Sequence, residues 1–115
     1  MKNTFGVPYS GLGMKVGDVE VNCTSEEEAM ALAAGTWLAG REAKVYMQNS
    51  GLCRCLDIAL SLYRPYSIPL PKLLLDIRHE PYHHHFVGEV TGRLLRIMGW
   101  KDVEIEGEEA RKWKN

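Results

Sequence analysis

Three short polar clusters hold most of the reactive side chains in this chain. Glu26-Glu27-Glu28 sets three carboxyls directly before an alanine-rich stretch. Gln48-Asn49-Ser50-Gly51 sets two amides and a hydroxyl after an apolar run, and Arg78 through His85 holds a guanidinium, a carboxyl and four imidazoles. A carboxyl can hold or share a proton, and histidines can donate protons or contact an anion near neutral pH. Guanidinium suits oxyanions through its planar fork of donors. Each cluster also has a plainer reading. Glu26 is an acid in the first turn of a helix, where the macrodipole favours it. Asn49-Ser50-Gly51 is ordinary turn chemistry, and the histidines sit in a solvated loop.

Two metal patterns in these clusters do not hold up. His79-Glu80-Pro81-Tyr82-His83 spells the zinc-protease pattern H-E-x-x-H. That pattern binds zinc only on a helix, where both imidazoles share one face. Pro81 removes a helix hydrogen bond and biases Glu80 away from helical angles. Cys53-Arg54-Cys55 lacks the C-x2-C spacing of zinc sites. No metal is therefore assigned to this chain.

The elements that must position the clusters follow from hydrophobic period. Val19-Glu20-Val21-Asn22-Cys23 alternates as a short strand. Thr24 with Glu27, and Ser25 with Glu28, both fit a capping box, so a helix starts there. Ala29, Leu32, Ala33, Thr36 and Trp37 make its apolar face, and Gly40 ends it. Lys44 to Gln48 is a strand, and Leu52 to Tyr63 is a helix. Lys72 to Ile77 is a near-continuous apolar run, as in a strand buried on both faces. Gly88 to Met98 is a helix carrying Val90, Leu94, Leu95, Ile97 and Met98. Asp102 to Glu106 is a final strand, and Glu108 to Asn115 a charged tail. Strand and helix alternate throughout, which predicts an α/β fold with a mostly parallel sheet covered on both faces. The three polar clusters fall in the loops leaving strand C-terminal ends, where such folds build their sites.

Composition narrows the function. A chain of 115 residues with 14 Lys plus Arg against 15 Asp plus Glu makes one domain over residues 1–115, with no nucleic-acid footprint and no polybasic membrane patch. No apolar run approaches a membrane span, and the first residues open no signal peptide. Three cysteines, two of them separated by one residue, indicate reduced thiols and a cytoplasmic protein.

The runs Glu26 to Gly35 and Val45-Tyr46-Met47-Gln48-Asn49-Ser50-Gly51-Leu52 closely resemble the phosphonopyruvate and sulfopyruvate decarboxylase family. So do Ser61-Leu62, Tyr66-Ser67-Ile68-Pro69, Arg78, Glu80-Pro81-Tyr82-His83, then Gly88, Thr91 and Leu94-Leu95. Val7-Pro8-Tyr9-Ser10 looks like the family's first strand-to-loop element. The resemblance implies a thiamine-diphosphate pyrimidine-binding domain, a three-layer α/β/α sandwich, here lacking its first helix. It implies the alpha subunit of a 2-oxoacid decarboxylase, sulfopyruvate decarboxylase-like as in coenzyme M biosynthesis. Glu26 matches the glutamate that hydrogen-bonds a ring nitrogen of the cofactor's aminopyrimidine. Gln48, Asn49 and Ser50 match groups at the pyrimidine end of the cofactor or the substrate pocket. His83 and His84 are matched to proton transfer, and Ser10, Arg78 and His85 to the anionic 2-oxoacid. Arg78 has a second reading, a pair with Glu80.

The same resemblance predicts a split enzyme. The diphosphate half of such enzymes carries Gly-Asp-Gly with a downstream Asn that holds the divalent metal (Mg). Here the only Gly-Asp pair, Gly17-Asp18, is followed by Val19. Metal and diphosphate are expected from a beta subunit, with the cofactor at the interface of a hetero-oligomer and Glu26 facing that interface. A sheet without its first helix would expose apolar surface and call for such a partner. Departures from the family pattern support the alternative of a catalytically degenerate scaffold or interaction subunit. Leu52-Cys53-Arg54 stands where the family has Leu-Gly-Asn, and Tyr9 stands for its Asp.

Overall fold

A computed structural model describes residues 3–7, 21–78 and 85–106. Five strands form one parallel sheet in the order β2-β1-β3-β4-β5. They are β1 (Asn3–Gly6), β2 (Val21–Asn22), β3 (Ala43–Gln48), β4 (Lys72–Asp76) and β5 (Val103–Glu106). Between them run α1 (Glu26–Leu38), a composite helix, and α3 (His85–Met98). The composite begins as a 3₁₀ stretch (Asn49–Cys55), passes through one α turn, α2 (Leu56–Ile58), and widens to a π turn (Ala59–Tyr63).

Register explains the core. Phe5, Val45, Leu73 and Val103 are partners across the sheet, as are Met47, Leu75 and Ile105. Side chains alternate faces along a strand, so these residues share one face, and all belong to or pack against the hydrophobic core. The helices cover that face. From β2 to β3, β3 to β4 and β4 to β5 the chain moves in one direction across the sheet. Right-handed crossovers then place all three connecting helices on the same side. Their contacts agree: α1 touches β1, β3 and the composite helix, and α3 touches the composite helix. Among the described residues the helices make a single layer, so the expected second helix layer has no member there. The other face carries Thr4, Lys44, Tyr46, Lys72, Leu74 and Glu104; Thr4 and Tyr46 are buried, and Lys72 and Glu104 pair at 3.4 Å.

Several expectations shift by a face or a turn. In α1 the buried residues are Ala29, Met30, Ala33 and Ala34, whereas Leu32 and Trp37 are exposed. Three alanines and the fully buried Met30 face the core, and Leu32 and Trp37 stand on the flanks. Gly40 closes α1 at φ 85°, a left-handed angle that glycine adopts without a Cβ clash. The helix expected from Leu52 starts three residues earlier, and that expected from Gly88 starts at His85. In α3 the buried set is Gly88, Thr91, Leu95 and Met98, with Ile97 exposed. In β4, Leu73 and Leu75 are buried on the helix side, while on the other side Leu74 is half-buried and Asp76 is buried. The strand expected from Val19 is described only at Val21–Asn22, and the expected tail helix lies outside the described residues.

Two hydrogen bonds pin the helical layer. Tyr63 donates its hydroxyl to the carbonyl of Met30 at 2.6 Å, and burial raises its phenol above the usual value. Trp100 donates its ring N–H to Pro71 at 2.8 Å, fixing the turn before β5. No described helix is long and apolar enough to cross a membrane.

Candidate functional site

The C-terminal ends of β1, β3 and β4 open towards the first turn of α1 and the 3₁₀ stretch. Ser25 caps α1, accepting from the Glu28 N–H at 3.1 Å in an extended backbone conformation. Glu28 reaches back and accepts from the Thr24 N–H at 3.0 Å. The sequence's capping box is thus present, displaced by one residue at its returning arm. Burial, then the neighbouring Glu28, raises the Cys23 thiol above its ordinary value. Glu27 points outward and is exposed. Of the three glutamates, Glu26 is the one turned towards the loop after β3.

Glu26 lies directly on Gly51. A Cβ built at Gly51 would fall 2.6 Å from the Glu26 Cδ and 2.7 Å from its Oε2, and nearer still to its Cγ. The Glu26 side chain is 17% exposed, and its Oε1 faces the Arg54 Nε at 3.9 Å. Arg54 is itself 67% exposed, so the pair is held loosely and solvent screens it. Cys55 sits beneath, fully buried, its thiol donating to the Gly51 carbonyl at 3.6 Å. Burial first, and the charges of Glu26 and Glu27 second, push that thiol up to about 12.

Asn49 links the second cluster to the third. Its amide N–H groups donate to the Arg78 carbonyl at 3.2 Å and to the Thr91 hydroxyl at 3.1 Å. Its carbonyl accepts from the Arg78 N–H at 3.0 Å. Thr91 in turn donates to the Val87 carbonyl at 2.6 Å. Asn49 and Thr91 are both fully buried. A buried amide with all of these bonds made ties the β3 loop, the β4 exit and α3 into one unit.

The remaining sequence-predicted residues fall around this unit. Gln48 ends β3 in register with Asp76, the last residue of β4. Asp76 is buried and meets the Arg78 guanidinium at 3.6 Å; the expected pair of Arg78 with Glu80 lies outside the described residues. Ser50 is half-buried in the 3₁₀ stretch. His85 begins α3, pairs with Glu89 at 3.0 Å and meets the Phe86 ring edge-on. Ser10, His83 and His84 lie outside the described residues, as do His79 and Glu80. Among the described residues no three His, Cys, Asp or Glu side chains converge as a metal site. Cys53 is exposed and Cys55 buried, so the two thiols of C-x-C do not share an environment.

Sequence reasoning thus collected the loops and missed the parts that join them: Gly51, Arg54, Cys55, Asp76 and Thr91. Gly51 and Thr91 were visible within runs that resemble the family, Gly51 as a turn residue and Thr91 as one position of a helix, with no sign of what each touches.

Curated proteins with related sequences bear on this geometry. The sulfopyruvate decarboxylase subunit alpha of Methanothermobacter thermautotrophicus is 35% identical over 86 residues, covering 70% of this chain and 50% of that protein. The phosphonopyruvate decarboxylase of Streptomyces viridochromogenes is 38% identical over 84 residues, covering 67% of this chain and 21% of that protein. This chain belongs to the sulfopyruvate and phosphonopyruvate decarboxylase family. A further family member, the sulfopyruvate decarboxylase subunit alpha of Methanocaldococcus jannaschii, is 39% identical over 62 residues, covering 54% of this chain and 35% of that protein. The chain spans half the length of the first of these relatives and less of the other two. No family model matches it.

Proposed function

We propose that this chain is the pyrimidine-binding alpha subunit of a split thiamine-diphosphate-dependent 2-oxoacid decarboxylase. The observation that carries the reading is the meeting of Glu26 with the Gln48–Gly51 loop at the C-terminal end of a parallel sheet. The two sequence runs that most resemble the family come together there, where α/β folds place their ligands. The donor set suits an aminopyrimidine. Glu26 offers a carboxyl that is neither sealed in the core nor fully solvated, beside polar groups of the loop.

When bound, thiamine diphosphate supplies the carbanion chemistry of decarboxylation. The work of this chain is narrower. Glu26 holds a hydrogen bond, and the proton within it, at a ring nitrogen of the aminopyrimidine. Gln48 and Ser50 line the same loop and orient the ring or the substrate, while Asn49 keeps that loop in register with Arg78. Contact with the anionic groups of a small 2-oxoacid such as sulfopyruvate is assigned to Arg78, Ser10 and His85. His83 and His84 move protons. Magnesium and the diphosphate belong to a beta subunit, and the complex works in the cytoplasm.

The test uses the reconstituted pair of subunits. Glu26→Gln is expected to slow proton exchange at the thiazolium carbon by about 10²-fold or more, and Glu27→Gln by less than about threefold. Equal effects from the two substitutions would remove Glu26 from the mechanism. The isolated chain is expected to show no turnover.

The Arg54–Glu26 contact favours a second reading, a scaffold whose glutamate is engaged by a guanidinium where the family has an amide. On that reading the wild-type complex shows no exchange, and Arg54→Asn restores it.

A further inference from the structure

Gly51 has no backbone reason to be glycine. Among the described residues, glycines with positive φ are Gly40 and Gly99, and Gly51 is not one of them. Any L-residue fits its backbone angles, and alanine would favour the helical conformation that it holds. What forbids a side chain is Glu26. The three atoms nearest to a Cβ at position 51 are the Glu26 Cγ, Cδ and Oε2. A Cβ at Gly35 would meet nothing within 4 Å, and one at Gly99 would meet only Arg64 Nη2 at 3.5 Å. Gly51 alone of these uses its missing side chain to admit another residue.

We infer that Gly51 is a positioning residue for Glu26, an empty Cβ site that lets the glutamate cross from α1 and rest on the backbone of the β3 loop. This deepens the proposed function, and its catalytic consequence rests on that reading. With its stem against Gly51, Glu26 has its Oε1 turned to Arg54 and its charge close enough to bear on the Cys55 thiol. A methyl group at position 51 takes the place of that stem. The glutamate is a flexible side chain, so it swings to another rotamer while the loop stays where it is. The carboxyl then leaves the place from which it meets a ligand.

Gly51→Ala, made in the whole chain and first studied without cofactor or partner, reads the geometry directly. The expected result is a crystal structure with the loop unchanged and the Glu26 carboxyl displaced from it. An unmoved carboxyl overturns the inference. Should Gly51→Ala fail to fold, the double variant with Glu26→Ala is decisive. Recovery of folding supports the inference, because the clash has been removed, and failure of both overturns it.

In the reconstituted complex, Gly51→Ala is expected to slow proton exchange about 10²-fold, as a misplaced catalytic group does. It should add nothing further in a Glu26→Gln background, because residues acting as one unit are not additive. Independent, multiplying losses would show that Gly51 acts elsewhere. If Glu26→Gln alone leaves exchange intact, the catalytic reading of Glu26 fails. The displaced carboxyl in the cofactor-free variant still decides the positioning role.

Discussion

The two ends of the parallel sheet differ in an instructive way. At the N-terminal ends of β3 and β4 lies a cavity of about 440 Å³, lined by Trp37, Glu42, Lys44, Leu70, Lys72 and Asp102 among others. At the C-terminal ends the described residues pack closely: Glu26 on Gly51, and a fully bonded Asn49 between Arg78 and Thr91. The N-terminal cavity thus lies at the end where parallel sheets do not place their sites, and the candidate site lies at the other. A cavity alone does not mark a site. On the proposed reading the second wall of the site belongs to another subunit.

The sharpest way to break this comparison is to loosen the C-terminal end without touching Glu26. Asn49→Ala removes a buried amide and leaves Thr91 and the Arg78 backbone without their partner. A loss of about 2–3 kcal/mol is expected in chemical denaturation, from the desolvation of the groups left behind. A loss under about 0.5 kcal/mol would mean that the Asn49 network is incidental.

Alkali gives a smaller effect at the same end. The Cys55 thiol ionises near 9 when unfolded and is pushed up to about 12 in the fold, chiefly by burial and then by Glu26. Its contribution to stability is complete below pH 9 and disappears as pH rises towards 12. At pH 10 the expected loss is roughly 1 kcal/mol relative to pH 8. Cys55→Ala should flatten the pH dependence of stability over that range, and an unchanged slope would assign it to other groups.

Smallest is the effect expected at the N-terminal cavity. Glu42→Gln should change stability by less than about 0.5 kcal/mol and leave proton exchange in the complex untouched. A large loss of exchange there would reverse the comparison.

Much of this was legible in the sequence because it is local. The cap at Ser25, the start of α1 at Glu26 and the limits of β3 and β4 follow from neighbouring residues and from period. The buried face of α1 was misjudged because alanines at nearly every turn give little contrast between sides. Its packing is decided by the sheet. The partners of Asn49 lie 29 and 42 residues away in sequence, and no pattern near Asn49 announces them. Gly51 is harder still, since its part consists of an atom that is not there. The family resemblance singled out these loops, but it could not say that one of their glycines is a place for a glutamate.

The π turn at Ala59–Tyr63 bears on how the chain tolerates changes in length. Arg64 donates to the Ala59 carbonyl at 3.1 Å, five residues back, where an α turn would use four. Such a turn holds one residue more than an α turn over the same rise. Closing the turn would rotate everything beyond it by about 100° and carry the Tyr63 hydroxyl away from Met30. Deleting a residue there would therefore cost the bond on which α1 leans.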